Sequence, residues 1–364
     1  MRTPLFEEHV KLKAHIVDFH GWEMPLYYDQ IISEHMAVRN NLGIFDVSHM
    51  GDIIVTGKDS SSYLDGLFPT MVSKLSPGSC AYTAFTNEEG NMIDDCIVYR
   101  LSQEEYLIVP NAATKDKIFS WMKLNKGSFN VNVDDVSDKY GCIAVQGPKS
   151  QDLLLDCGLP QVEFFKWINF EWKNNSKTIR DLMIISGTGY TGEKGVEIIA
   201  DNQTIVEIWK MLVTKLGKYG GKPCGLGARD TLRMEKGMLL SGTDFNTGPL
   251  DKSKTYASGK GGRITSAGQG TNFSFTHEQL ISSPWYASFQ KYNSSKDFLR
   301  LKIYIMLSNV VMRVINYKRN GCLCGGSIRI KIGQEVRVKH AGKFLRGMIS
   351  KPRMFPLEIP LPPS

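Results

Sequence analysis

The chain has 364 residues, too many for one ordinary domain and enough for two or three. Its 42% hydrophobic and 22% charged residues suit a globular protein with a buried core, and no apolar run reaches the roughly 18 residues of a membrane span. Net charge is +7, unevenly placed: residues 247 onward carry 19 Lys and Arg against 5 Asp and Glu, whereas the first 246 carry 25 against 32. A basic part beside an acidic one implies an anionic partner or a solvated basic face. A nucleic-acid partner is not expected, because no basic helix, zinc finger or aromatic RNA-binding signature occurs.

The start, MRTPLFEEHVKLKAH, has neither the apolar region of a signal peptide nor the Arg-rich, acid-poor character of a transit peptide. A cytoplasmic protein is expected, or a mitochondrial matrix one if a precursor segment is missing from the sequence. The seven cysteines are scattered and odd in number, which favours free thiols over a disulfide framework. Cys322 and Cys324 lack the spacing and the His or Cys partners of a zinc site, so no metal is expected.

In chain order, His35 to Leu42 has helical spacing and ends at Gly43, a plausible C-cap. IFDVSHMGDIIVTG alternates as a half-buried strand. Asp59 and Ser60 to Ser62 can cap a helix SYLDGLF. AYTAFTNEEGNMIDDCIVYRLSQEEYLIVPNAA reads as three strands separated at Asn87–Gly90 and Ser102–Glu105. A helix over Thr114–Leu124 places Ile118, Trp121 and Met122 on one face. CIAVQGPKSQDLLLDCGL reads as strand, turn and helix, and DLMIISGTGYTGEKGVEIIAD as strand, glycine-rich turn and strand. Ile205–Leu216 and Ala228–Met238 are amphipathic helices. The mixture predicts an α+β fold with antiparallel sheets. Residues 247–282 have the texture of a linker or long loop. Ile303 to Ile315 reads as a buried strand, and SIRIKIGQEVRVKHAGKFLRGMISKP as two strands of a small barrel within 283–364.

GTGYTG, Gly187 to Gly192, matches the dinucleotide pattern in form only, because EKGVEIIAD follows where a helix would be needed, and a hairpin fits better. SGKGG lacks the residues of a phosphate loop. Asp94 and Asp95 precede the strand CIVY. They read either as a turn with two solvated acids or as one carboxylate aimed at an apolar cavity, as chemistry on a protonated amine requires. Arg229 at the start of a helix opposes the dipole and needs a salt bridge or a ligand. His49 has no nucleophile to serve and reads as a buried, hydrogen-bonded histidine.

RTPLFEEHVKL, DFHGWEMPLYY, FDVSHMGD, IDDCIVYR, VPNAA, VQGPKSQ, GTGYTGEKGVEI and GLGARDTLRMEKGMLLSGTDF stand in the order and spacing of the aminomethyltransferase family, the T-proteins of glycine cleavage. The resemblance covers about residues 2–246, and the tail IKIGQEVRVKHAGKFLRGMISKP resembles that family's closing hairpin. It implies a cloverleaf-like, multi-domain folate-binding fold: two α+β subdomains over 1–246, a divergent segment over 247–282, and a C-terminal β-barrel over 283–364. It also implies transfer of a one-carbon unit from the aminomethyl-dihydrolipoyl arm of H-protein to tetrahydrofolate, with release of ammonia and formation of 5,10-methylenetetrahydrofolate. By position, Asp95 matches the key carboxylate, which would orient folate nitrogens and stabilise positive charge as the iminium forms. Met50, Tyr82, Ile97, Val109, Asn111 and Tyr190 match positions that line the folate pocket, and Glu197 and Arg229 match polar positions that hold the pterin. A basic surface would steer both the folate tail and an acidic H-protein.

Two departures stand out. The family usually has Arg where Gly187 stands, and the loss of that cation would weaken the pocket or free the loop. Residues 247 to about 325 do not follow the family after GTDFN. A non-catalytic iron–sulfur assembly relative would carry a KGCYxGQE-type motif where this chain has TGYTGEKGVE. A flavin-linked oxidase would need a helix-backed GxGxxG. A folate-dependent demethylase of the same fold is the remaining alternative.

Overall fold

The computed structural model describes residues 1–86, 92–171, 183–236, 238, 240 and 241, and the backbone of 335–340 and 343–348. The chain opens with a short helix, α1 (Phe6–Lys11), and a hairpin of β1 (His15–Phe19) and β2 (Trp22–Tyr27). Helix α2 (Ile31–Asn40) follows, four residues earlier than its apolar spacing predicts. Asn41, not Gly43, occupies its C-cap, and Gly43 instead opens strand β3 (Gly43–Asp46). A Cβ at Gly43 would lie 2.5 Å from a Val38 methyl and 2.6 Å from Cys224 Sγ, so glycine is there for close packing.

The stretch expected to form one strand is divided. After β3 the chain turns at Val47–Gly51, with Ser48 N–H donating to Asp46 Oδ1 at 2.9 Å, and then forms β4 (Ile53–Thr56) in a different sheet. Helix α3 (Ser60–Asp65) has Asp59 at its N-cap, but that carboxylate accepts from Asn130 N–H and caps nothing. Strands β5 (Ser79–Thr86), β6 (Met92–Arg100) and β7 (Glu105–Pro110) are the three expected ones. Next come α4 (Lys115–Leu124), whose Ile118, Trp121 and Met122 are buried, and β8 (Asn132–Asp135).

The second half contains β9 (Tyr140–Gln146), α5 (Ser150–Asp156), β10 (Trp167–Asn169), β11 (Ile184–Ser186) and β12 (Gly195–Asp201). Helix α6 (Asn202–Leu216) is capped by Asp201, which accepts from the N–H groups of Gln203 and Thr204, both at 3.0 Å. Strand β13 (Lys222–Pro223) and helix α7 (Leu226–Lys236) complete it.

Two sheets result. One is antiparallel in the order β5-β6-β7-β4-β8. The other is β10-β11-β12-β9-β3-β13, antiparallel except where β13 runs parallel to β3. Alternation along each strand gives every sheet two faces. The five-stranded sheet buries Ile53, Val55, Cys96, Val98 and Ile108 against α3 and α4. The six-stranded sheet buries Ile44, Ile143, Val145, Ile185 and Ile198 against α5 and α6, including Trp209. The remaining faces share a third core: Ile54, Cys80, Tyr99 and Leu107 from one sheet meet Phe45, Cys142, Ala144, Ile184 and Ile199 from the other, flanked by Val38 of α2 and by Ala228 and Leu232 of α7. Each such aliphatic or aromatic side chain contributes about 1.5–3 kcal/mol. This shared core fixes the two sheets against each other.

Cys80, Cys96, Cys142, Cys157 and Cys224 are buried free thiols. Near the C-terminus β14 (Glu335–His340) pairs antiparallel with β15 (Lys343–Met348), in the region expected to hold two strands. The linker at 247–282, the strand at 303–315 and the rest of the barrel at 283–364 lie outside the described residues, and among the described residues there is no closed barrel. Nor is any helix among them long and apolar enough to cross a membrane.

Candidate active site

The register of the five-stranded sheet assembles most of the expected residues. Tyr82 on β5 pairs with Ile97 on β6, and Ile97 pairs with Val109 on β7, so the three side chains form one cross-strand row. Ile97 and Val109 pack on the core between the sheets, as does Met50 from the turn joining β3 to β4. Asp95, two residues before Ile97, points to the same face. Asn111 follows directly after β7.

Neither aspartate is solvated. Asp94 is 0% exposed and Asp95 6%, which corrects the reading of a solvent-facing turn. The two occupy opposite faces of β6, yet Asn111 Nδ2 reaches both, donating to Asp95 Oδ1 at 2.6 Å and to Asp94 Oδ1 at 3.1 Å. The Tyr82 hydroxyl donates to Asp95 Oδ2. Burial, followed by the neighbouring Asp94 charge, pushes Asp95 up to about 7, and the bonds from Tyr82 and Asn111 oppose that rise. A carboxyl group tuned to that range can exist in either state near neutrality.

Across the shared core stand the groups of the other sheet. Strands β11 and β12 pair antiparallel with Ser186 opposite Glu197, so GTGYTG is the turn of a hairpin and precedes no helix. Glu197 points to the shared core, as Ile199 does. Its Oε2 accepts from Thr188 Oγ1 at 2.5 Å, Thr188 is 2.8 Å from Ser186 Oγ, and Ser186 is 3.2 Å from the Tyr99 hydroxyl on the opposite sheet. Arg229, in the first turn of α7, lies over the Tyr190 ring with 4.7 Å from its guanidinium carbon to the centroid. Its Nη1 is buried without a hydrogen-bond partner, and no ion pair to Arg229 is present among the described residues, so the salt-bridge reading does not hold. His49 is buried as expected, but its Nδ1 has no hydrogen-bond partner. Burial and then the Arg229 charge push it down to about 4, leaving a neutral ring.

The chain matches the family model described as the GCVT N-terminal domain over residues 5–251. That is more than half of its length. The chain belongs to the aminomethyltransferase family, the T-proteins of glycine cleavage. It is 42% identical over 252 residues to an aminomethyltransferase of Thermotoga neapolitana, covering 69% of each chain. It is 45% identical over 247 residues to one of Caldanaerobacter subterraneus, covering 67% of this chain and 65% of that one. The crystal structure of glycine cleavage system aminomethyltransferase T from Bartonella henselae superposes with a TM-score of 0.61 at 31% identity, over 67% of this chain and 64% of that chain. These matches span about two-thirds of the relatives' own lengths.

Gly187 was expected to weaken the pocket or free its loop in a member of the aminomethyltransferase family. The loop there is not freed: Gly187 N–H donates to Lys166 O at 2.9 Å, and its carbonyl accepts from Phe165 N–H at 3.1 Å. A Cβ at Gly187 would stand 2.0 Å from Glu163 O and 2.6 Å from the Glu163 carbonyl carbon. Backbone of 163–166 fills the room a side chain would need.

Three features of the candidate site were not anticipated from sequence. Arg39 of α2 ties the Tyr190 loop to α7, donating to Thr191 O at 2.7 Å and to Leu232 O at 3.1 Å, and pairing with Glu193 at 2.9 Å and Glu235 at 3.0 Å. Gln146 pins the same loop through Thr188 O and the Thr191 hydroxyl. Thr114 and Ser241 both donate to Asp94. The motif VRNNLG offered a signal for Arg39, an arginine late in a helix and close to the glycine stop.

Proposed function

We propose that this chain transfers the one-carbon unit of aminomethyl-dihydrolipoyl H-protein to tetrahydrofolate, with release of ammonia. The observation that carries the reading is Asp95, a buried carboxyl group held by Tyr82 and Asn111 and poised to ionise near neutrality, in a chain of the aminomethyltransferase family. In the reaction, the carbon exchanges its bonds to sulfur and to the amine nitrogen for bonds to two folate nitrogens, whose protons leave with the thiol and the ammonia. No oxidant or metal is consumed.

The residues present suit a reduced pterin. Arg229 Nη1 is a buried donor with no acceptor among the described residues, and Glu197 is a fixed acceptor on the same side of the core. Met50, Tyr82, Ile97, Val109 and Tyr190 would supply the apolar and aromatic walls, with Asn111 a polar group at the Asp95 end. Ionised Asp95 would orient the attacking nitrogen and stabilise the positive charge that develops on the one-carbon unit, without reorganising as it does so. The basic residues beyond 247 would guide the folate glutamate tail and an acidic H-protein, and the C-terminal segment would complete the cloverleaf as a barrel.

The deciding experiment is tetrahydrofolate binding to the full-length chain by calorimetry, followed by ammonia release from aminomethyl H-protein. Micromolar binding with turnover supports the proposal. A folded chain that binds no tetrahydrofolate would falsify it.

A further inference from the structure

Asp94 points away from Asp95, into the core beneath the sheet, and both of its oxygens accept from protein side chains. Oδ1 accepts from Ser241 Oγ at 2.5 Å and from Asn111 Nδ2 at 3.1 Å, and Oδ2 accepts from Thr114 Oγ1. These donors come from the start of α4 and from the chain beyond α7. Asp94 is thus fixed from two directions.

Asn111 is the group that links it to the site. An amide has an N–H end and a carbonyl end, and only the N–H end can meet a carboxylate. Asn111 Nδ2 lies between the oxygens of Asp94 and Asp95 and is also 3.2 Å from the Asp95 carbonyl. Turning the amide over would set its oxygen against all three acceptors. Asp94, held by Thr114 and Ser241, adds a fixed third acceptor to the two that Asp95 offers, and so anchors the amide with its N–H end toward Asp95.

We propose that Asp94 is a positioning residue for the transfer: it anchors Asn111 so that the amide N–H holds Asp95 Oδ1, while Tyr82 holds the other oxygen. The inference rests on the folate-transfer reading for what Asp95 does, but not for how Asp95 is held. Electrostatics adds a second effect through the same contact. Lys117 of α4 faces Asp94, Tyr82 with Tyr190 beyond it faces Asp95, and the buried Cys96 thiol lies beside both. Among these groups the Asp94 charge is the largest neighbouring influence raising Asp95.

Asp94→Asn is expected to lower kcat about 100-fold with the tetrahydrofolate Kd unchanged, because the carboxylate is misplaced while the pocket remains, and Asn111→Ala is expected to lower kcat as far while also weakening binding, since Asn111 itself lines the pocket. The double variant is expected to be no slower than either single one, since both remove the same support. Losses that multiply in the double variant, or wild-type kcat in Asp94→Asn, overturn the inference. The Asp95 titration, followed by carboxyl ¹³C NMR and assigned with Asp95→Asn, needs no turnover. A midpoint that drops below about 7 in Asp94→Asn supports the contact, and an unmoved midpoint overturns it. Should Asp94→Asn fail to fold, Thr114→Val frees one Asp94 oxygen and must show the same non-additivity with Asn111→Ala. A wild-type chain that binds no tetrahydrofolate overturns the transfer reading, and the NMR titration then decides this one alone.

Discussion

The Arg229 guanidinium rests 4.7 Å above the Tyr190 ring, with Nη1 buried and unpartnered. A buried donor left unsatisfied costs stability, so this cation is held ready for an acceptor that none of the described residues provides. Arg229→Ala is expected to weaken tetrahydrofolate binding about 10- to 100-fold, the equivalent of one charge-assisted bond of about 1.5–3 kcal/mol. Arg229→Lys should recover only part of it, because an ammonium cannot reproduce the planar stack on Tyr190. Calorimetry reads both, and an unchanged Kd in the alanine variant removes Arg229 from the pocket.

Asp95→Asn should leave tetrahydrofolate binding intact and lower kcat by about two orders of magnitude. Since the active form is the carboxylate and the group is pushed up to about 7, wild-type kcat should rise with pH and level off above about 7. Residual turnover in the variant should lack that rise. A wild-type profile flat from pH 6 to 8 would count against Asp95 as the titrating group.

Glu197 depends on a chain of hydroxyls that crosses between the sheets. Thr188→Val removes the donor that orients the half-buried Glu197 carboxylate, so the tetrahydrofolate Kd should rise about 10-fold while the unfolding midpoint shifts little. Thr188→Ser should restore it. If valine and serine bind alike, the Thr188 hydroxyl does not orient Glu197.

Asp52 allows a test of pH-dependent stability away from the proposed pocket. It is buried, and desolvation followed by the Asp135 charge pushes it up to about 7, with Lys115 opposing. The folded state therefore holds this proton between about pH 4 and 7 while the unfolded chain releases it, so the group's contribution to stability falls as pH rises through that window. Asp52→Asn removes the loss. The variant's gain over wild type in chemical denaturation should grow from pH 4 to 7 and then level off, on the order of 2 to 4 kcal/mol. A gain independent of pH would show that Asp52 titrates normally.

Much of this was legible because spacing carries burial. The face of α4 with Ile118, Trp121 and Met122 and that of α6 with Ile205, Ile208, Trp209 and Leu212 are buried, and the residues after GTGYTG continue as the strand their β-branched character predicts. The division of IFDVSHMGDIIVTG into β3 and β4 was not, because alternation is identical whether a strand continues or changes sheets at a turn. The hairpin β1–β2 is mostly half-buried and shows no period that marks it. At the site, Asp94 read as a turn residue because the donors that make its burial tolerable lie 20 and 147 residues away. The solitude of Arg229 Nη1 is likewise a property of the assembled fold.

The contact between Gly187 and the backbone of Glu163 bears on how this corner can be altered. A Cβ there would overlap main-chain atoms. A single substitution at 187 therefore cannot seat a side chain: room opens only after a separate change draws 163–166 away, and that change alone breaks two backbone hydrogen bonds. Each step is unfavourable without the other, so the character of this corner is set jointly by two segments that lie far apart in the chain.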